Sequence, residues 1–222
     1  MCRVDDKGAR GREAILAAAS VLMDERGVDQ VSLNEINRAS GNRNRSAVTY
    51  HFGSRDAIVR ELVARSMATV NADRNALLDE RERLGGAVRL REGIELVVGP
   101  LSRCLATVEG RRYLRLLGQL VNHPRFVADS TQTLFVNESI MRCLPFISPS
   151  LEQLPERVRG ERVSQLAGFL IRATAEQARL LDADPPPRRP LAVDEFVDNL
   201  VDLQVAMLTA PTSVDDAAES RA

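Results

Sequence analysis

The sequence predicts an all-α protein: an N-terminal three-helix head of helix-turn-helix form and a larger helical body, with about nine helices along the chain. Three observations lead there. Hydrophobic residues make up 44% but aromatics only 4%, with no Trp, so Leu, Val, Ile and Ala must build the interior. Apolar residues recur at three- and four-residue spacing in one segment after another. Glycines, prolines and Ser caps separate those segments where helices would stop and start. With 222 residues the chain has room for a small head, expected over 9–53, a body over 54–210 and a disordered tail over 211–222.

The lead before Arg12 is charged and reads as mobile. From Glu13, the residues Ile15, Leu16, Ala19, Leu22 and Met23 fall on one helical face, and Gly27 stops that first helix. Ser32 and Glu35 then stand at capping-box spacing before Leu33, Ile36 and Ala39, which predicts a short second helix ending at Ser40-Gly41. Ser46 to His51 reads as a short third helix with Ala47 and Val48 inward. Phe52-Gly53-Ser54 breaks it, and Ser54 can cap a long fourth helix carrying Ile58, Leu62, Met67, Val70 and Leu77, closed by Gly85-Gly86.

A fifth helix is expected from Leu90 to Val108 with a kink or break at Gly99-Pro100, and a sixth through Tyr113 and Leu120 to a stop at His123-Pro124. Phe126 to Phe146 forms a seventh with Leu134, Phe135 and Ile140 in its stripe, ended by Pro145 and Pro149. Two more helices, about 151–182 and 193–209, flank the stiff segment Asp184-Pro185-Pro186-Pro187-Arg188-Arg189-Pro190. Both are apolar on more than one face. Leu166, Phe169, Leu170 and Ala173 on one, with Leu200, Leu203 and Met207 on the other, suit either an intrachain core or a surface shared with a second copy.

Charge narrows the choice of partner. Thirty basic against 31 acidic residues leave a net charge of −1, which argues against a general polyanion binder. Residues 38–60, however, hold Arg38, Arg43, Arg45, Arg55 and Arg60 against Asp56 alone, a local positive patch suited to double-stranded DNA. A capped helix, a turn at Gly41 and a helix with a cationic start make the helix-turn-helix pattern. In it, Arg43, Asn44, Arg45 and Ser46 lead into the major groove, Arg suiting guanine and Asn adenine. Ser32, Thr49, Tyr50, His51 and Arg55 are candidates for the remaining contacts, the last four suiting phosphate. His51 also admits packing or capping roles. No second ligand stands near it at metal spacing, and His123 reads as a loop residue.

The segments Arg12–Ala19, Glu25-Arg26-Gly27, Ser32-Leu33-Asn34-Glu35-Ile36, Ala39-Ser40-Gly41 and Tyr50-His51-Phe52-Gly53-Ser54-Arg55-Asp56-Ala57 resemble the N-terminal domain of TetR-type regulators over about 50 residues. Two departures fall in the recognition helix. The interval from Gly41 to Phe52 is one residue longer, and Thr49 stands where an aromatic is usual. The resemblance implies a homodimer whose paired recognition helices enter successive major grooves of an operator. It implies repression relieved by a small-molecule effector of unknown identity, with activation or a protein-binding role as rival readings. Met67, Leu101, Leu105, Tyr113, Leu117, Phe126 and Met141 are candidate pocket residues, each equally suited to the core.

No cofactor, metal site or enzymatic motif is indicated: there is no Gly-rich phosphate loop, no His-rich cluster and no nucleophile with a base at motif spacing. No apolar run reaches 18 residues and the N-terminus is polar, so neither a membrane span nor a secretory signal is expected, and the expected location is cytoplasmic. Cys2, Cys104 and Cys143 are odd in number and widely spaced, which fits reduced thiols.

Overall fold

A computed structural model describes residues 3–42, 44, 46–87, 89–127 and 138–214, with backbone alone for 3–7 and 127. The expectations placed on Cys2, Arg43, Arg45, Leu134, Phe135 and the tail beyond 214 lie outside the described residues. Within them every regular element is a helix: α1 (Arg3–Arg26), α2 (Leu33–Ala39), α3 (Ala47–Phe52), α4 (Arg55–Leu84), α5 (Leu90–Ser102), α6 (Val108–Leu120), α7 (Pro124–Val127), α8 (Glu138–Leu151), α9 (Glu156–Asp182) and α10 (Val193–Thr209). Short 3₁₀ turns cover Val28–Gln30 and Arg103–Ala106.

The head forms where local signals and burial agree. Ser32 accepts from the Glu35 amide at 3.3 Å while Glu35 accepts from the Ser32 amide at 2.9 Å, so the capping box satisfies two backbone donors of α2. Gly41 sits at φ 68°, a conformation a Cβ would resist, and turns the chain toward α3. Ile15, Leu16 and Ala19 of α1, Ile36 of α2 and Ala47 and Val48 of α3 are buried together, which fixes the three helices against one another. The Ser54 hydroxyl caps α4 by accepting from the Ala57 amide at 3.1 Å.

α4 then carries the core from head to body. Ile58, Val59 and Val63 are fully buried, and further along the same face Met67, Val70, Arg74 and Leu78 are buried in the body. Around this helix pack α5, α6 and α8, with α9 lying along α6 and α10 along α5.

The chain departs from expectation in four places. α1 begins at Arg3, ahead of its apolar stripe, so the backbone of the charged lead belongs to the helix. The fifth helix does not reach Val108. Pro100 is accommodated, but the helix ends at Ser102, and Thr107 accepts from the Gly110 amide at 3.0 Å to start α6 at Val108. The expected seventh helix is represented by α7 and α8, with 128–137 outside the described residues. Pro145 and Pro149 lie inside α8 instead of ending it. Four residues apart and both exposed, they leave their unpaired carbonyls on the solvent side, where water can replace the missing amide.

The final pair falls on its expected bounds for α10, while α9 starts at Glu156, after Pro155. Leu166, Leu170 and Leu200 are buried within this single chain, so their apolar surface is already covered. Phe169, Ala173 and Met207 are part-exposed and Leu203 is 43% exposed.

Candidate nucleic-acid interface

α3 begins on a built turn. Asn44 Oδ1 accepts from the Ser46 amide at 3.0 Å and from the Ser46 hydroxyl at 2.8 Å, and the Asn44 carbonyl accepts from the Ala47 amide at 3.1 Å. Both lone pairs of the side-chain oxygen are therefore committed. An Asn reads adenine with its oxygen and nitrogen together, so Asn44 could do so only if this turn opened. It acts here as the residue that starts α3.

With Ala47 and Val48 turned inward, α3 presents Ser46, Thr49 and Tyr50 outward, and Tyr50 is 84% exposed. His51 is half-buried. Its ring lies edge-on to Tyr50 with centroids 5.2 Å apart, and a Cβ on Gly11 would lie 3.8 Å from its Nε2, so it packs between α3 and α1. The next residue, Phe52, carries the Arg12 guanidinium 5.0 Å above its ring, and Arg12 also pairs with Glu61 at 3.0 Å. Ser32 is exposed, but its hydroxyl belongs to the capping box and donates to Glu35 at 2.7 Å.

Arg55, expected to contact phosphate, is engaged within the protein. Its Nη1 donates to the Asp29 carbonyl at 2.7 Å and its Nη2 to Asp29 Oδ1 at 3.0 Å, which ties the start of α4 to the segment before α2. Asp29 is shared. His123 Nε2 lies 2.8 Å from its second carboxylate oxygen, and that hydrogen bond, with Arg55 and Arg125 nearby, holds the Asp29 carboxyl below the usual range. His123 is thus no ordinary loop residue: it joins the body to the head.

Two further links cross the same boundary. Arg115 of α6 donates to both oxygens of Asp24 on α1, each at 2.6 Å, and to Asp182 of α9 at 2.5 Å. Gln119 accepts from the Val28 amide at 2.9 Å and donates to the Met23 carbonyl at 3.3 Å. No spacing along the chain points to these partners, since those that link the head to α6 stand more than 90 positions apart; only the neighbouring Leu114-Arg115-Leu116-Leu117 stripe marks α6 as a helix with an inner face.

In the body, α4, α5, α6, α8, α9 and α10 line a partly open cavity of about 150 Å³. Of the candidate pocket residues, Met67, Leu101 and Leu117 line it. Leu105, Tyr113 and Phe126 are buried in the core outside its lining, and Met141 is 50% exposed on α8, turned away from the interior. Leu166 and Leu170, weighed above for a shared surface, line the cavity too. Among the described residues no cluster of His, Cys, Asp and Glu is set to hold a metal ion, and no helix is long and apolar enough to cross a membrane.

Residues 15–62 match the family described as "Bacterial regulatory proteins, tetR family", a span that contains α2 and α3 whole and the facing parts of α1 and α4. No curated protein matches the chain. Among solved structures, a TetR-family regulator from Streptomyces coelicolor A3 is 18% identical, with 90% of this chain and 96% of that chain covered at a TM-score of 0.41. A protein from Mesorhizobium loti MAFF303099, assigned to the same family of transcriptional regulators, is 18% identical over the same shares at a TM-score of 0.32. Superpositions this loose carry no argument about the body. What the comparisons show is confined to the N-terminal match, which agrees with the capped α2, the turn at Gly41 and the exposed face of α3: residues 15–62 form a helix-turn-helix domain similar to that of the tetR family of bacterial regulatory proteins.

Proposed function

We propose that the chain is a homodimeric repressor that binds a near-palindromic operator and leaves it when a small molecule enters the body cavity. The observation that carries this reading is the course of α4: one unbroken helix packs the head through Ile58 and Val59 and lines the cavity through Met67, Val70 and Arg74. A ligand that prefers one position of this helix would shift the head with it, by no more than its preference between the two states. The links Arg115–Asp24 and His123–Asp29 are a second route for the same coupling.

Base and phosphate contacts are assigned to Ser46, Thr49 and Tyr50, together with Arg43 and Arg45, the cationic pair at the head of the recognition helix. Dimerisation is assigned to the surfaces of α9 and α10 that keep exposure, above all Phe169, Leu203 and Met207. Transcription from the promoter beside the chain's own gene, measured with the gene intact and deleted, tests the regulatory sign. Deletion is expected to raise it several-fold; a fall would make the chain an activator, and no change would remove this promoter as its operator.

A further inference from the structure

The cavity walls are apolar apart from two side chains, and both of these present donors. Arg74 is 3% exposed. Its Nε donates to the Leu96 carbonyl at 3.2 Å, its Nη1 to Asn71 Oδ1 at 3.2 Å and Ser139 Oγ at 2.8 Å, and its Nη2 to the Val97 carbonyl at 3.4 Å. Every one of these acceptors is neutral. Among the described residues no carboxylate pairs with it, and burial pulls its pKa downward without a facing acid to restore it. Gln204 of α10 is 2% exposed, and its side-chain amide nitrogen has no hydrogen-bond partner although it borders the same space.

A buried guanidinium without a counter-charge is costly, and neutral acceptors offset that cost only in part. An unpartnered amide nitrogen beside it is a second unmet demand for an acceptor. The missing group must therefore be anionic, carry at least two acceptor atoms and sit at the end of an apolar body. A cavity of about 150 Å³ matches in size one known to hold benzene, so that body is an aromatic ring or a chain of roughly six carbons.

We propose that the cavity takes a small organic carboxylate, its apolar part among Ile94, Leu101, Leu117 and Leu166 and its carboxylate between Arg74 and the Gln204 amide. This deepens the effector reading above and rests on the cavity being the effector site. Because Arg74 lies on α4 and Gln204 on α10, an anion bridging them would draw together the helix that leads to the head and the final helix.

The test is calorimetric titration of the full chain with benzoate and hexanoate against their uncharged isosteres benzamide and hexanamide. The proposal expects each acid to bind at least about tenfold tighter than its amide, the difference a charge-assisted hydrogen bond supplies. Gln204→Leu should narrow that ratio and Arg74→Met abolish it; if Arg74→Met does not fold, the wild-type ratio and Gln204→Leu still decide. Equal affinity for acid and amide, or no binding of any probe, overturns the carboxylate site. The operator reading fails separately: an acid that binds with the expected ratio but leaves operator affinity unchanged keeps the site and removes its role as effector site.

Discussion

Nε2 of His123, in the turn after α6, lies 2.8 Å from Oδ2 of Asp29, in the segment that leads into α2. The Arg125 amide donates to His123 Nδ1 at 3.3 Å, which leaves Nε2 to carry the hydrogen that Asp29 accepts. The same carboxylate holds Arg55 through its other oxygen, so one acid joins the body, the approach to α2 and the start of α4.

A pH prediction follows from this bond. Because the Asp29 pKa is lowered in the folded state, its contribution to stability is complete above the ordinary carboxylate range and is lost as pH falls through the lowered value. Carbon-detected NMR titration should place Asp29 below other exposed aspartates, and His123→Ala should move it back up toward them. An unchanged titration in His123→Ala would mean that the contact does not persist in solution.

Arg115 should be the costliest charge to remove at the head–body boundary. Its side chain is 13% exposed and that of Asp24 14%, so Arg115→Ala strands a largely buried carboxylate and is expected to cost about 3 kcal/mol in urea unfolding. Arg112, 3.8 Å from the same acid and more exposed, should cost about 1 kcal/mol or less. Equal losses would contradict the assignment of Arg115 as the linking residue.

Gly118 permits the close approach of α6 and α9. A Cβ there would lie 2.7 Å from the Cβ of Ala175, too close for either helix to stay in place. Gly118→Ala should destabilise the chain by about 1–3 kcal/mol, and adding Ala175→Gly should recover much of that loss. An additive double variant would place the clash elsewhere.

Tyr50 should separate binding from folding. At 84% exposure it contributes little to the core, so Tyr50→Ala is expected to leave unfolding within about 0.5 kcal/mol of wild type while weakening operator DNA about tenfold. Arg55→Ala should do the reverse in part: it frees Asp29 and loosens the junction. Fluorescence anisotropy beside thermal unfolding distinguishes the two.

What could be read in the sequence was what its neighbours along the chain decide. The Ser32–Glu35 box, the positive φ at Gly41, the Ser54 cap and the bounds of α10 each depend on residues within one or two turns, and each stands as expected. The prolines of α8 did not break it, because whether a proline ends a helix depends on which face meets solvent. Residue type alone suits Asn44 and Arg55 to DNA; their hydrogen bonds to Ser46 and Asp29 depend on the turn and on a segment 26 residues away. Arg74 and Gln204 gave no sign at all. A single Arg in an amphipathic helix looks like any solvated cation until the fold buries it.

The most direct test of the account is the affinity of the full chain for the promoter DNA beside its own gene, against random DNA of equal length, at two salt concentrations. Specific binding should be tighter by roughly a thousandfold and should weaken as salt rises, and Arg45→Ala should reduce it while the dimer persists. Equal, weak affinity for both DNAs would contradict the assignment of α3 as a reading helix, and with it the proposed repressor.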